Sequence, residues 1–174
     1  AVRRGIGWTT GRAEPTWTRP SRRQSVTPKF LQPGWRRPVP HIAMVIDTSG
    51  TIDDQLLGRA MAEVDGAIAA LGIPGASVTV LACDAAVSAV TRVRRATDAT
   101  LIGGGGTDMR VGIAAATQQR PRPDLIVVLT AGYTPWPTPP PPGSAVIVAI
   151  LGRPGETLLG TPPWVTRIEC VLRR

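Results

Sequence analysis

Histidine is almost missing from this chain of 174 residues: His41 is the only one. That scarcity removes the HExxH, Ser-His-Asp and Cys-His constellations of the common hydrolases. His41 opens a strand and reads as a packing or edge residue, so no catalytic residue is assigned and the chain is expected not to be an enzyme. Cysteine is nearly as rare. Cys83 and Cys170 stand far apart with no CxxC or Cys/His cluster beside them, which argues against a zinc site or a disulfide framework and for buried free thiols. Long apolar runs are lacking too. The longest, such as AVIVAIL at 145–151, are strand-sized, far below the roughly 20 residues of a membrane span. No charged-then-apolar leader opens the chain, and a cytoplasmic setting without membrane contact is expected. The chain starts at Ala1 and not at methionine, as a piece of a longer polypeptide would.

Acidic residues are scarce in one region only. Residues 1–40 hold nine cations against Glu14, which accounts for the whole net charge of +8, while the cations and acids from residue 41 onward cancel. The same 40 residues carry six prolines, three of the five tryptophans and no periodic apolar face. Such a composition cannot build a core of its own. Residues 1–40 are therefore expected to form an extended, Arg-rich arm, lying over the domain through Trp8, Trp17 and Trp35 or ending an upstream domain. Residues 41–174 form the domain proper.

From residue 41 apolar segments and helical periodicity alternate. IAMVI (42–46), SVTVLA (77–82), LIVVLT (125–130), AVIVAIL (145–151) and TRIECVL (166–172) read as strands, mostly of the continuous apolar kind that is covered on both faces. AVSAVTRV (86–93) alternates and predicts a hairpin partner or edge strand. Leu57, Met61, Val64, Ile68 and Leu71 recur at steps of three and four, predicting a helix from about Asp53 to Leu71, stopped by Gly72 and Pro74. A second helix is predicted from about Asp108, with Val111, Ala115 and Ile113 inward. The fold class that follows is α/β: a three-layer, doubly wound, mostly parallel sheet with one antiparallel edge strand. Such folds bind ligands beyond the carboxyl ends of the strands, so the loops there matter most.

Three of those loops carry distinctive chemistry: DTSGT (47–51), GGGGTD (103–108) and TAGYTPWP (130–137). In the first, Asp47, Ser49 and Thr51 alternate, so in an extended segment their oxygens converge. An all-oxygen set of that kind suits a hard cation such as Mg²⁺. Taken alone, the pattern reads first as a helix cap with Asp47 complementing the dipole. The glycines lack the Lys-Ser/Thr of a phosphate loop and serve better to let the backbone bring Thr107 near the first loop. Asp53 and Asp54 read as N-terminal helix acids, Asp84 as a turn residue, and PWPTPPPPG (135–143) as a stiff surface loop.

The order VIDTSGT, long helix, GGGGTDMRVGI, LIVVLTAGYTPWP resembles a von Willebrand factor A (VWA) domain over about residues 41–151. GGGGTD, GYTPWP and the upstream TWTRPSRR resemble more narrowly the bacterial VWA-like domains that lie C-terminal to a metallopeptidase-like domain. The resemblance implies a metal-ion-dependent adhesion site (MIDAS). Ser49 and Thr51 would ligate Mg²⁺, Mn²⁺ or Ca²⁺, Asp47 would act directly or through water, and Thr107 would add the second-loop hydroxyl. Asp108 either contributes through water or belongs to the helix N-terminus. The third loop departs from the family pattern, with Thr130-Ala131-Gly132 in place of Thr-Asp-Gly, so Ala131 removes a carboxylate. The function implied is a metal-dependent protein-interaction module, degenerate at its third loop, that receives a partner's carboxylate. Its partner would be an upstream metallopeptidase-like domain or an AAA+ ATPase. The alternatives are a metal-free scaffolding domain within a larger metallopeptidase-like protein, or nucleic-acid binding through the basic arm, which is less expected than docking of that arm.

Overall fold

The computed structural model describes residues 14–26, 29–36, 40–50, 54–69, 78–99 and 106–171. In the arm, β1 (Glu14–Pro20) pairs antiparallel with β2 (Pro33–Arg36), setting Pro15 against Trp35. The arm thus folds back on itself as a hairpin, which its composition did not announce. Trp17 and Trp35 are exposed there, not docked; Trp8 lies outside the described residues.

The domain is built on β3 (Ile42–Asp47), α1 (Asp54–Ala69), β4 (Val78–Cys83), β5 (Val87–Val93), α2 (Met109–Thr117), β6 (Leu125–Thr130), β7 (Ala145–Gly152) and β8 (Thr166–Val171). Six strands form one sheet in the order β5-β4-β3-β6-β7-β8. All neighbours are parallel except β5, which runs antiparallel to β4 at the edge. Strands β3 and β6 are buried at every position, as central strands covered on both faces must be. Alternate residues feed two cores. Ile42, Met44 and Ile46 meet Leu57, Met61 and Val64 of α1 on one face, while Ala43 and Val45 meet Met109, Ile113 and Ala116 of α2 on the other. Trp136, from the proline-rich loop, packs partly buried against the α2-side core, so that loop is anchored at its start.

Helix α1 buries Leu57, Met61 and Val64 as predicted, while the Ile68 side chain, Leu71 and the Gly72 and Pro74 stop lie outside the described residues. A single 3-10 turn, Ala96–Asp98, is held against α1 by Asp65, whose carboxylate accepts the Ala96 N–H at 2.5 Å and the Thr97 hydroxyl at 2.9 Å. Helix α2 turns Ile113 inward and packs Ala115 partly buried against the same core, as expected, but corrects Val111. Met109, Gly112, Ile113 and Ala116 are buried, whereas Val111 is 38% exposed. The phase is set by close approach. A Cβ added to Gly112 would lie 2.5 Å from Val45 Cγ1 and 3.0 Å from Cys83 Sγ, so only glycine lets α2 sit this near the sheet. Gly112→Ala is expected to destabilise the domain. A helix-propensity gain of about 1 kcal/mol offsets only part of an overpacking cost of up to ~3 kcal/mol, and the midpoint of urea unfolding should fall. An unchanged or raised midpoint would mean that Val45 yields freely. No described helix is long and apolar enough to cross a membrane.

Candidate functional site

Strand β3 leads through α1 to β4 on one side, and after the β5 hairpin the chain returns through α2 to β6 on the other side. The direction of winding therefore switches at β3, and a crevice opens beyond the carboxyl ends of β3 and β6. Asp47 ends β3 and Thr130 ends β6. The parallel register pairs Ile46 with Leu129, which brings the next residue of each strand level.

Asp47 is 1% exposed and is the hub of this crevice. Its Oδ2 accepts the Thr130 hydroxyl at 2.7 Å, and its Oδ1 accepts the Thr107 hydroxyl at 3.1 Å and the Ser49 N–H at 3.0 Å. One carboxylate thus ties all three distinctive loops together. Thr130 also accepts the Gly132 N–H at 3.0 Å, so its hydroxyl is engaged both as donor and as acceptor. Thr107 differs. Its proton goes to Asp47, which leaves its oxygen lone pairs for another ligand.

Further bonds fix the loops. The Thr48 N–H donates to the Cys83 carbonyl and the Asp108 N–H to the Asp84 carbonyl, each at 3.0 Å. The Asp84 carboxylate accepts the Ala86 N–H at 3.0 Å, the turn role expected of it. The Thr134 hydroxyl accepts the Met109 N–H at 2.8 Å, so the third loop satisfies one of the orphan amides that start α2. Gly132 takes φ +93°, and a Cβ there would meet Leu159 Cβ at 3.0 Å; both conditions call for glycine.

Electrostatically, Asp108 belongs to α2. It is the N-cap, accepting the Arg110 N–H at 3.0 Å, and it pairs with the Arg110 guanidinium at 2.8 Å. The side-chain bond from Arg110 is the main cause holding its carboxyl below the usual carboxylate range. Burial, reinforced by the carboxylates of Asp84, Asp47 and Asp108, pushes the Cys83 thiol up to about 11. Cys83 is fully buried and packs in the α2-side core, a setting that disfavours its thiolate.

A family model described as a VWA-like domain (DUF2201) matches residues 42–170. The chain belongs to this family. No curated protein matches it. The match runs from the start of β3 into β8 and so takes in all three loops of the VWA-like domain, leaving the β1-β2 hairpin outside.

Of the residues singled out from the VWA-like pattern, the structure brings Asp47, Ser49 and Thr107 together and turns the Asp108 carboxylate toward Arg110. Thr51, Asp53 and residues 103–105 lie outside the described residues. Ala131 follows Thr130 and brings no ligand atom from its side chain. Two contributors went unread: Thr130 as a donor to Asp47, and Thr134 as a cap. The signal for Thr130 was a hydroxyl closing an otherwise apolar strand. Among the described residues no three His, Cys, Asp or Glu side chains are arranged so that they could hold a metal ion, so a cation here would depend on hydroxyls around the Asp47 carboxylate.

Proposed function

We propose that this VWA-like domain is a non-enzymatic protein-interaction module with a weak divalent-cation site. The observation that carries the proposal is the Thr107 hydroxyl on Asp47 Oδ1. It joins the first and second loops at a buried carboxylate and leaves an oxygen able to ligate. Ser49 and Thr107, with Thr51 by family resemblance, would hold Mg²⁺, Mn²⁺ or Ca²⁺. Asp47 has three of about four acceptor positions filled and would act through water. Hydroxyl and carboxylate oxygens fit a hard cation, and a single carboxylate fits low affinity. When bound, the cation supplies a positive point for a partner's carboxylate. Partners consistent with the family resemblance are an upstream metallopeptidase-like domain or an AAA+ ATPase, in a cytoplasmic setting.

The placement of His41 supports a role without catalysis. It sits at the opposite end of β3 from Asp47, roughly 20 Å away by strand rise, and offers no base to the crevice.

Thermal unfolding under Mg²⁺ or Mn²⁺ titration tests this function. A site filled at ten times its Kd adds about 1.4 kcal/mol, a rise of a few degrees for a chain of this size. The rise is expected only at millimolar metal, and it should vanish in Asp47→Asn. No shift at tens of millimolar would favour the second function, a metal-free scaffolding domain. That alternative has its own support: three protein donors already satisfy Asp47, and Ala131 supplies no carboxylate.

A further inference from the structure

We propose that the β1-β2 hairpin is a docking surface for single-stranded nucleic acid. The described hairpin residues include Arg19, Arg22, Arg23 and Lys29, with Glu14 as the only acid among them. Beside Trp35 an open cleft of about 720 Å³ is lined by Arg19, Arg22 and Arg23.

The two aromatic groups share one face of the hairpin, and Trp35 also borders the cleft that holds the arginines. Thr16 and Thr18 share one face of β1, their hydroxyls 2.9 Å apart, so alternation sends Pro15 and Trp17 to the other. Trp35 joins them because it pairs with Pro15. Arg19 lies where the register shifts before Pro20 and meets Trp35 in the cleft that both line. Trp17 is 66% exposed and Trp35 64%. Two indole rings left to water are costly unless something stacks on them. Tryptophan beside arginine matches the chemistry of a single strand. Each base offers a flat face that stacks on an aromatic ring, and each phosphate offers a charge to a guanidinium. An acidic peptide would satisfy the arginines but leave the indoles without a specific partner. A duplex hides its base faces and cannot stack.

None of the residues lining this surface belongs to the Asp47 cluster, so the proposal does not rest on a cation there. Stacking and phosphate contact are common to DNA and RNA, and the occupant is defined by those two features.

Fluorescence anisotropy of labelled oligothymidylate and oligouridylate with the full chain tests the proposal, alongside a duplex and an oligoglutamate of similar charge. Binding to the single strands should quench tryptophan emission. Its salt dependence should have a log-log slope of about −2 for three phosphate contacts. Trp17→Ala and Trp35→Ala should each weaken binding roughly ten-fold, and Arg19→Gln with Arg22→Gln should flatten the salt slope. All four positions are exposed, and circular dichroism of each variant checks that it folds like the parent. Quenching by both single strands, or by one of them, supports the proposal and identifies the source. Failure of both to bind overturns it. So does equal binding of duplex or oligoglutamate without quenching, which would leave a general polyanion or acidic-protein surface.

Discussion

Asp47→Ala is expected to lower the free energy of unfolding by about 4 kcal/mol, and Asp47→Asn by only about 1–2 kcal/mol. The alanine variant strands the Ser49 N–H and the Thr107 and Thr130 hydroxyls in a place where Asp47 itself is 1% exposed. Each orphaned buried donor costs about 1–3 kcal/mol. Relief of a buried carboxylate's desolvation keeps the total below their simple sum. Asparagine keeps one oxygen, enough for the two bonds now made to Oδ1. Its amide replaces Oδ2 and donates where Thr130 also donates. The Thr130 proton must then turn away and loses its acceptor, while its oxygen can accept from the amide and the other two bonds persist. Urea unfolding with an unchanged m-value reads both losses. Alanine costing under about 1 kcal/mol would mean that water satisfies the three donors and that Asp47 is not the structural hub. The two variants also separate stability from ligation, because asparagine removes the charge a cation needs while sparing most of the fold.

The sheet was legible because its central strands are apolar without interruption. IAMVI and LIVVLT leave no polar face for water, so they belong inside a parallel sheet whatever else the chain does. The first helix was legible because Leu57, Met61 and Val64 are bulky and periodic. The second was legible in part: Ile113 and Ala115 face the core as expected and Val111 does not, because the remaining buried positions include Gly112 and Ala116. They are small, and their value lies in letting backbones approach; a hydrophobic stripe does not register that. The hairpin of the arm escaped notice because its strands are rich in proline and expose their tryptophans, so neither alternation nor core burial marks them. In the site, Asp47, Ser49 and Thr107 stood out by motif. Thr130 did not, since its hydroxyl reaches Asp47 only through the parallel register that sets Ile46 beside Leu129. Such a contact is tertiary, separated by 83 residues along the chain.

Ala131→Asp is expected to raise divalent-cation affinity at least about ten-fold, equivalent to ~1.4 kcal/mol, and to do so at a cost that reveals its cause. Position 131 directly follows Thr130, whose hydroxyl lies 2.7 Å from Asp47 Oδ2. By resemblance to the family pattern, a carboxylate at 131 would face the first across a partly desolvated space. Without metal the like charges repel, and a loss of about 1–3 kcal/mol is expected. A cation reverses the sign, since both anions then attract one centre. The melting curves should therefore cross: Ala131→Asp melts below the parent in chelator and gains more from added Mg²⁺ or Mn²⁺. Ala131→Asn adds similar bulk without charge and should show neither the deficit nor the gain. If aspartate and asparagine behave alike with and without metal, the third loop does not border the cation, and the weak-site account of this VWA-like domain gives way to the metal-free one. If the curves cross, Ala131 is the residue that keeps affinity low. The Asp47 cluster, with its three protein donors, then explains how the domain retains its loop geometry with little cation bound.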